Sequence, residues 1–431
     1  MRQVLKNRLI HELNWLVLLF PLWWFLGVEQ FFWFLSVTVI FIQFVIYSKF
    51  EFHVNFLALL LFTFLIVYGI SIISITEQMR YITYFRNIST YITALMILVI
   101  CWNIIDEWVQ IERLLSSVVF VMLIASVIGL LAFAFESFRI EFRSPIGFLL
   151  PSSIANTGYG SVIAVRNVGY YNQFIGLDYF RISSFFLYST MFSSTLAIVL
   201  PIAIFIRKIS IGLKRKYYTL VVFILILALI ATTGRVAILA IVMSFIIYKL
   251  LSVRSISIKL SLVFICVTML CLFIFWLEQS GVLYQIIDMA LYSRGEGSAN
   301  TRYKIYVKTF ESFLERPFFG WGTERDVKGL AYPLGSHSYY LGTLYKQGII
   351  GFLIFISIIL SIWSNIRTKN IFVEKFNLFF KYGQFMMLVF MINSFTDVLD
   401  LDATTMMFLW LIISLLVVSR RIIIQKTKNN A

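Results

Sequence analysis

The chain has 431 residues, of which 60% are hydrophobic, 18% aromatic and only 13% charged. Soluble globular chains carry about 25% charged residues, and 44 Phe with 10 Trp leave too little polar surface to cover a water-soluble fold of this size. A multi-domain soluble enzyme is excluded, and the net charge of +15 must be read from its distribution.

Apolar runs long enough to cross a ~30 Å hydrocarbon core as helices lie at 13–28, 31–47, 54–75, 84–102, 114–135, 184–206, 217–233, 236–251, 258–277, 338–362, 378–396 and 403–422. They predict an all-α, polytopic membrane protein with twelve spans in a single transmembrane domain over residues 1–431. If Arg2, Lys6 and Arg8 are cytoplasmic, the inner segments hold 21 Lys and Arg against six acids, and the outer segments hold 15 of each. The whole basic excess is then inside, which satisfies the positive-inside rule and puts both termini in the cytoplasm. A basic surface facing anionic lipid accounts for the charge, and no nucleic-acid partner is expected. The first run follows a basic stretch as a signal peptide would, yet no small-x-small cleavage site follows Gly27, so it is expected to stay as a signal anchor. Cys101, Cys266 and Cys271 fall within spans, so neither a disulfide framework nor a thiolate metal cluster is indicated.

Two connections are long, 136–183 and 278–337, and both fall on the outer face in this topology. The first is rich in Gly, Ser and Asn and is expected to be irregular. The second contains a helix at about 302–315, where Tyr303, Tyr306, Val307, Phe310, Phe313 and Leu314 recur at three- and four-residue spacing until Pro317 ends it. Such an amphipathic helix could roof a cavity at the bilayer surface or pack on its own bundle.

The chemistry-bearing residues are few. No P-loop, Rossmann glycine pattern, HExxH or GxSxG is present. Arginine is concentrated outside, at Arg80, Arg86, Arg139, Arg143, Arg166, Arg181, Arg235, Arg294, Arg302, Arg316 and Arg325, against four outer Lys. Because Arg grips phosphate bidentately, this skew points to an anionic phosphate ligand, although ion pairs with outer acids would look similar. Arg235, in Thr232-Thr233-Gly234-Arg235, separates two apolar runs with almost no loop, so its charge is held at the membrane boundary, for function or for snorkelling to lipid phosphate. Of three histidines, His11 and His53 flank spans on the cytoplasmic side, and His337 alone is outside, where the long loop enters a span. An imidazole there suits a general base that takes a proton from a hydroxyl. Asp397, Asp400 and Asp402 form a short outer connection that reads as a solvated turn in preference to a metal site.

These residues together resemble the O-antigen ligase and polymerase superfamily, membrane glycosyltransferases of the C-type, over roughly 180–355. Arg181-Ile182-Ser183-Ser184-Phe185-Phe186 is similar to that family's Arg-x-x-Gly-x-Phe, and Thr232-Thr233-Gly234-Arg235 to its Thr-x-Ser-Arg. Pro317-Phe318-Phe319-Gly320-Trp321-Gly322 looks like Pro-x-x-Gly-x-Gly, and His337, Leu341, Gly348 and Gly351 keep the family's spacing. Gly234 departs from the usual Ser, Ser338 from the usual Asn, and Lys346 from a position often held by Glu, which puts in doubt any acid that would orient His337.

The resemblance implies His337 as catalytic base and Arg181, Arg235 and, more weakly, Arg302 as diphosphate-binding residues, with no cofactor and no metal. It implies a surface-polysaccharide polymerase (O-antigen, capsule or exopolysaccharide) in the bacterial cytoplasmic membrane, with a polyprenyl-diphosphate-linked (undecaprenyl-type) glycan as donor and acceptor, and a flippase and a chain-length regulator as further partners. A ligase transferring finished glycan to another acceptor, and a transporter or flippase of lipid-linked glycan, remain as alternatives.

Overall fold

The computed structural model describes residues 2–48, 52–156, 158–174, 177–252, 298–330, 332–367 and 373–429. The span expected at 258–277, with Cys266 and Cys271, and residues 278–297 of the second long segment, with Arg294, lie outside the described residues.

In hydrocarbon every backbone N–H and C=O has to be satisfied within its own segment, and long helices do this. The helices are α1 (Arg2–Leu18), α2 (Phe20–Leu26), α3 (Glu29–Tyr47), α4 (Phe56–Ile70), α5 (Gln78–Ile104) and α6 (Trp108–Ala134). Three short ones follow, α7 (Pro145–Leu149), α8 (Ser152–Ala155) and α9 (Gly158–Ala164). The remainder are α10 (Ser189–Ile209), α11 (Gly212–Ala231), α12 (Arg235–Ser252), α13 (Ser298–Glu315), α14 (Tyr339–Asn365), α15 (Glu374–Asn393) and α16 (Ala403–Asn429). Among the described residues seven helices are long and apolar enough to cross a membrane, or up to eight if α1 and α2, bent by 52° at Leu19, count as one span. The all-α membrane architecture therefore stands in its coarse form. The expected runs at 217–233, 236–251 and 378–396 coincide with α11, α12 and α15, helices of 20, 18 and 20 residues outside those eight.

Burial separates lipid-facing from inner helices. On α3 the exposed apolar residues Phe31, Leu35, Val39, Ile42 and Ile46 recur every three to four positions, and Phe56, Leu59, Phe62 and Ile66 do the same on α4. Such stripes are covered by lipid at no hydrophobic cost. By contrast, α10 is buried on nearly every face, with Ser193, Ser194 and Thr195 inside. It packs against α6, α11, α12, α15 and α16 and is the hub of the bundle.

The segment 136–183 is more ordered than its composition suggests. β1 (Glu141–Arg143) pairs antiparallel with β2 (Val165–Asn167), and β3 (Gly169–Phe174) with β4 (Leu177–Ile182). Long-range partners fix it: Arg166 is 2% exposed and bonds Glu29 at 2.6 Å at the start of α3. A fully buried pair of this kind holds register where composition alone shows a loop.

Candidate active site

The β3–β4 hairpin ends beside the turn between α11 and α12. Arg181 lies opposite Tyr170 in the register, its guanidinium 5.8 Å from the Tyr170 ring centre, and it is buried. Its Nε donates to the carbonyl of Thr232 at 3.2 Å. Thr232 is fully buried and its hydroxyl accepts from the Gly234 amide at 3.2 Å, which shapes the turn that starts α12 with Arg235 exposed. Gly234 has a steric reason: a Cβ there would lie 2.4 Å from Ser193 on α10.

The next residue of α10, Ser194, donates to Asp397 Oδ2 at 3.3 Å. Asp397 also feels the charges of Arg302, at the start of α13, and of Arg181. Arg235 in turn feels Arg302 and Arg181. Among the described residues, no carboxylate is within ion-pair distance of Arg181 or Arg302. Four elements distant in sequence thus bring three arginines and one aspartate to one end of the bundle.

His337 belongs to the same cluster, since Arg302 acts on it as well. Tyr306, one turn along α13, donates its hydroxyl to the His337 carbonyl at 2.6 Å. Two residues on, the Tyr339 amide donates to the carbonyl of Ser394, three residues before Asp397. The Tyr332 ring meets the imidazole edge-on at 4.7 Å, and Nε2 is buried without a hydrogen-bond partner. His337 has φ +62, a left-handed conformation that costs a non-glycine residue roughly 1–3 kcal/mol and persists where surroundings enforce it. Among the described residues, the other non-glycine residues with positive φ are Ser184 and Thr233. All three fall in the motifs that carry Arg181, Arg235 and His337.

The electrostatics follow from burial. Burial, then the neighbouring Arg302, pushes the His337 pKa down to about 4, so the imidazole is neutral at neutral pH. Burial pushes Asp397 up to about 6 against the pull of Arg302, Ser194 and Arg181.

The solvated turn expected at 397–402 is overturned. Asp397, Asp400 and Asp402 are 7%, 2% and 0% exposed. Asp402 caps α16, accepting from the Thr405 amide at 2.9 Å and hydroxyl at 2.6 Å, and from Gln30 at 2.7 Å. Asp400 accepts from Lys346 at 2.8 Å. Each acid has a specific donor, which lets a carboxylate leave water. The site acid Asp397 was missed in sequence because its partners lie on other helices.

Six of the other outer arginines among the described residues are used structurally. Arg80 donates to the carbonyls of Trp321, Thr323 and Glu324, Arg139 pairs with Glu136, and Arg166 with Glu29. Arg143 bonds the Gly147 carbonyl, and Arg316 and Arg325 lie over the Trp321 ring at 4.2 and 4.1 Å. The structural use of these arginines answers part of the skew; Arg302 acts on His337, and with Arg181 it acts on Arg235.

The Pro317–Gly322 motif docks onto a break in α14. Gly348 has φ +66 and interrupts the helix, which frees the carbonyls of Tyr345 and Lys346. These accept from the amides of Trp321 and Gly322 at 2.9 and 2.8 Å, while the Ile349 amide donates to Pro317 at 2.7 Å. The glycines permit that approach: a Cβ on Gly320 would lie 2.4 Å from the Tyr345 oxygen, and one on Gly348 2.2 Å from the Phe318 oxygen.

Residues 220–356 match the family model described as O-antigen ligase. No curated protein matches the chain. The matched stretch contains the Arg235 turn, α13, the docked glycine motif and His337, and it supports the O-antigen ligase and polymerase superfamily that the motifs resemble.

Proposed function

We propose that the chain is a polymerase of a bacterial surface polysaccharide, joining polyprenyl-diphosphate-linked repeat units by metal-independent, inverting glycosyl transfer at the outer face of the cytoplasmic membrane. The observation that carries this reading is a buried His337 Nε2 without a hydrogen-bond partner, beside Arg302, which with Arg181 also acts on Arg235. His337 Nε2 takes the proton from an acceptor sugar hydroxyl. That oxygen forms a bond to the donor's anomeric carbon as the bond from carbon to phosphate oxygen breaks. The polyprenyl diphosphate leaves with the bonding pair. Arg181, Arg235 and Arg302 stabilise the charge that develops on it, a role in which one lost donor costs about 2.7–4 kcal/mol of barrier. Bound donor would also offset the Arg302 charge on His337 and so raise the base toward the working pH.

The matching orientation is twelve spans with both termini cytoplasmic. The α1–α2 pair, α11, α12, α15 and the run at 258–277 then join the seven apolar helices, and the His337 end faces outward. The lipid-facing surface would admit the polyprenyl tail, α13 would cover the glycans, and a flippase and a chain-length regulator would be partners.

The family model's description favours a second reading, a ligase that moves finished polymer to another acceptor with the same donor chemistry. Transfer from purified lipid-linked repeat unit by the purified protein tests the chemistry. Gels of surface polysaccharide after deletion separate the two. One retained repeat unit without a ladder means polymerase, and retained lipid-linked polymer without transfer means ligase.

A further inference from the structure

Lys346 is a fully buried ammonium in α14, fewer than three helical turns beyond His337, and the proposed reaction makes no use of it. Its Nζ lies 2.8 Å from Asp400 Oδ2 and 3.3 Å from Glu324 Oε1. Each acid belongs to one of the chain segments that frame the site. Asp400 sits three residues after Asp397 in the α15–α16 connection. Glu324 follows the docked glycine motif in the loop leading to His337. The Glu324 carboxylate also accepts from the Thr323 hydroxyl at 2.8 Å and from Asn87 at 3.2 Å. Burial opposes its ionisation, but Lys346 and then Arg86 outweigh that and hold it well below the usual carboxylate range. On the other side, Asp400 Oδ2 accepts from the Tyr91 hydroxyl at 3.1 Å, and Tyr91 meets the Tyr339 hydroxyl at 2.8 Å. Tyr339 is the residue whose amide ties the His337 exit to Ser394.

A single cation therefore joins the three segments whose relative placement sets the distance between His337 and Asp397. An ion triad in this position is a poor source of stability, since buried pairs are often replaced by neutral groups without loss. Its geometric role is specific, because one ammonium reaches both carboxylates only when the three segments are placed side by side. We propose that Lys346, with Glu324 and Asp400, is the positioning centre of this site, holding the His337 loop and the Asp397 connection in register for transfer while touching neither glycan. The proposal rests on the glycosyl-transfer reading.

The test is a neutral triad, Lys346→Met with Glu324→Gln and Asp400→Asn, which removes the three buried charges together and keeps Asn87 and Tyr91 as partners. Purified protein in lipid nanodiscs is assayed with lipid-linked repeat unit beside His337→Gln. The expected result is a melting temperature near that of the wild type, an unchanged KM for the donor and a kcat lowered at least tenfold. A wild-type kcat overturns the proposal, and so does a loss that appears only in KM or only in the melting temperature. If the triple variant does not accumulate, Asp400→Glu and Lys346→Arg take its place, since they keep each charge and displace it. Lower kcat at unchanged KM then supports the proposal, and wild-type kcat in both overturns it. An inactive wild-type protein, or an active His337→Gln variant, would instead count against the glycosyl-transfer reading itself.

Discussion

Arg181 Nε donates to the carbonyl of Thr232 at 3.2 Å, three residues before Arg235, so the hairpin arginine is tied to the turn that presents the second one. With Nε engaged, the terminal nitrogens of Arg181 remain for an anion. A lysine at 181 would keep the charge and lose both the tie and the fork. Arg181→Lys and Arg235→Lys are therefore expected to lower kcat strongly, toward the roughly 10²–10³-fold typical of a lost oxyanion partner. In vitro transfer compares Lys and Ala variants at both positions. Full activity of both Lys variants with substantial activity of both Ala variants would remove these residues from diphosphate binding.

His337→Gln preserves size and removes the proton acceptor. It is expected to abolish transfer while the protein remains in the membrane, and His337→Ala should behave in the same way. Near-normal transfer by the Gln variant would make the imidazole a packing element. Activity is also expected to persist in EDTA; loss that a divalent ion restores would show a metal requirement.

With His337 as the proposed base, transfer should decline in acid, because an imidazole accepts a proton only when neutral. In the free enzyme its pKa is pushed down to about 4 by burial and by Arg302, so the acid limb of kcat/KM should lie well below the ordinary histidine value of ~6.5. Removing the Arg302 charge removes a cause of that depression. The acid limb is expected to move to higher pH in Arg302→Gln, and pH profiles of both proteins measure it. A limb that stays in place, or moves to lower pH, would separate Arg302 from His337.

The coarse helical membrane fold was legible in the sequence. Span positions follow from apolar runs, because a helix in lipid needs only its own sequence to satisfy its backbone. His337 was singled out by its place at the loop exit, and Arg235 by the near absence of a loop around it; their roles are proposals. The acids were misread for the opposite reason. Whether Asp397, Asp400 and Asp402 face water depends on Ser194, Lys346 and Gln30, each supplied by another helix. Two signals were nonetheless present. Asp402-Ala403-Thr404-Thr405 has helix N-cap spacing, and a lysine at a position often held by Glu inside an apolar span demands a partner.

The docking of the glycine motif onto α14 makes a steric prediction. Gly320→Ala and Gly348→Ala would press a methyl within 2.4 and 2.2 Å of backbone oxygens, at φ values of +67 and +66. Backbone cannot yield as a flexible side chain can, so both should be destabilised or fail to accumulate. Gly329 has φ +84 but nothing within 4 Å, so Gly329→Ala should cost only about 1 kcal/mol of conformational strain. Thermal melting and membrane abundance of the three variants decide this; equal behaviour would deny the docking.

Asp397 offers a trade between stability and activity. Its carboxyl is pushed from 3.8 up to about 6, chiefly by burial, with Arg302, Ser194 and Arg181 opposing. A raised acid pKa means the folded state binds this proton more tightly than the unfolded chain, so its contribution falls as pH rises from ~4 through ~6 and is fully unfavourable at neutral pH. At 1.36 kcal/mol per pKa unit, the upper bound is about 3 kcal/mol. Asp397→Asn removes the charge and keeps an acceptor for Ser194. It should raise the melting temperature at pH 7, with the gain fading as the pH is lowered toward 4. The same change removes the carboxylate that Arg302 and Arg181 act on, so transfer should fall even as the fold tightens. A variant that is less stable at pH 7 would show that the arginines outweigh burial at this carboxylate, and one that is more stable and fully active would remove Asp397 from the site.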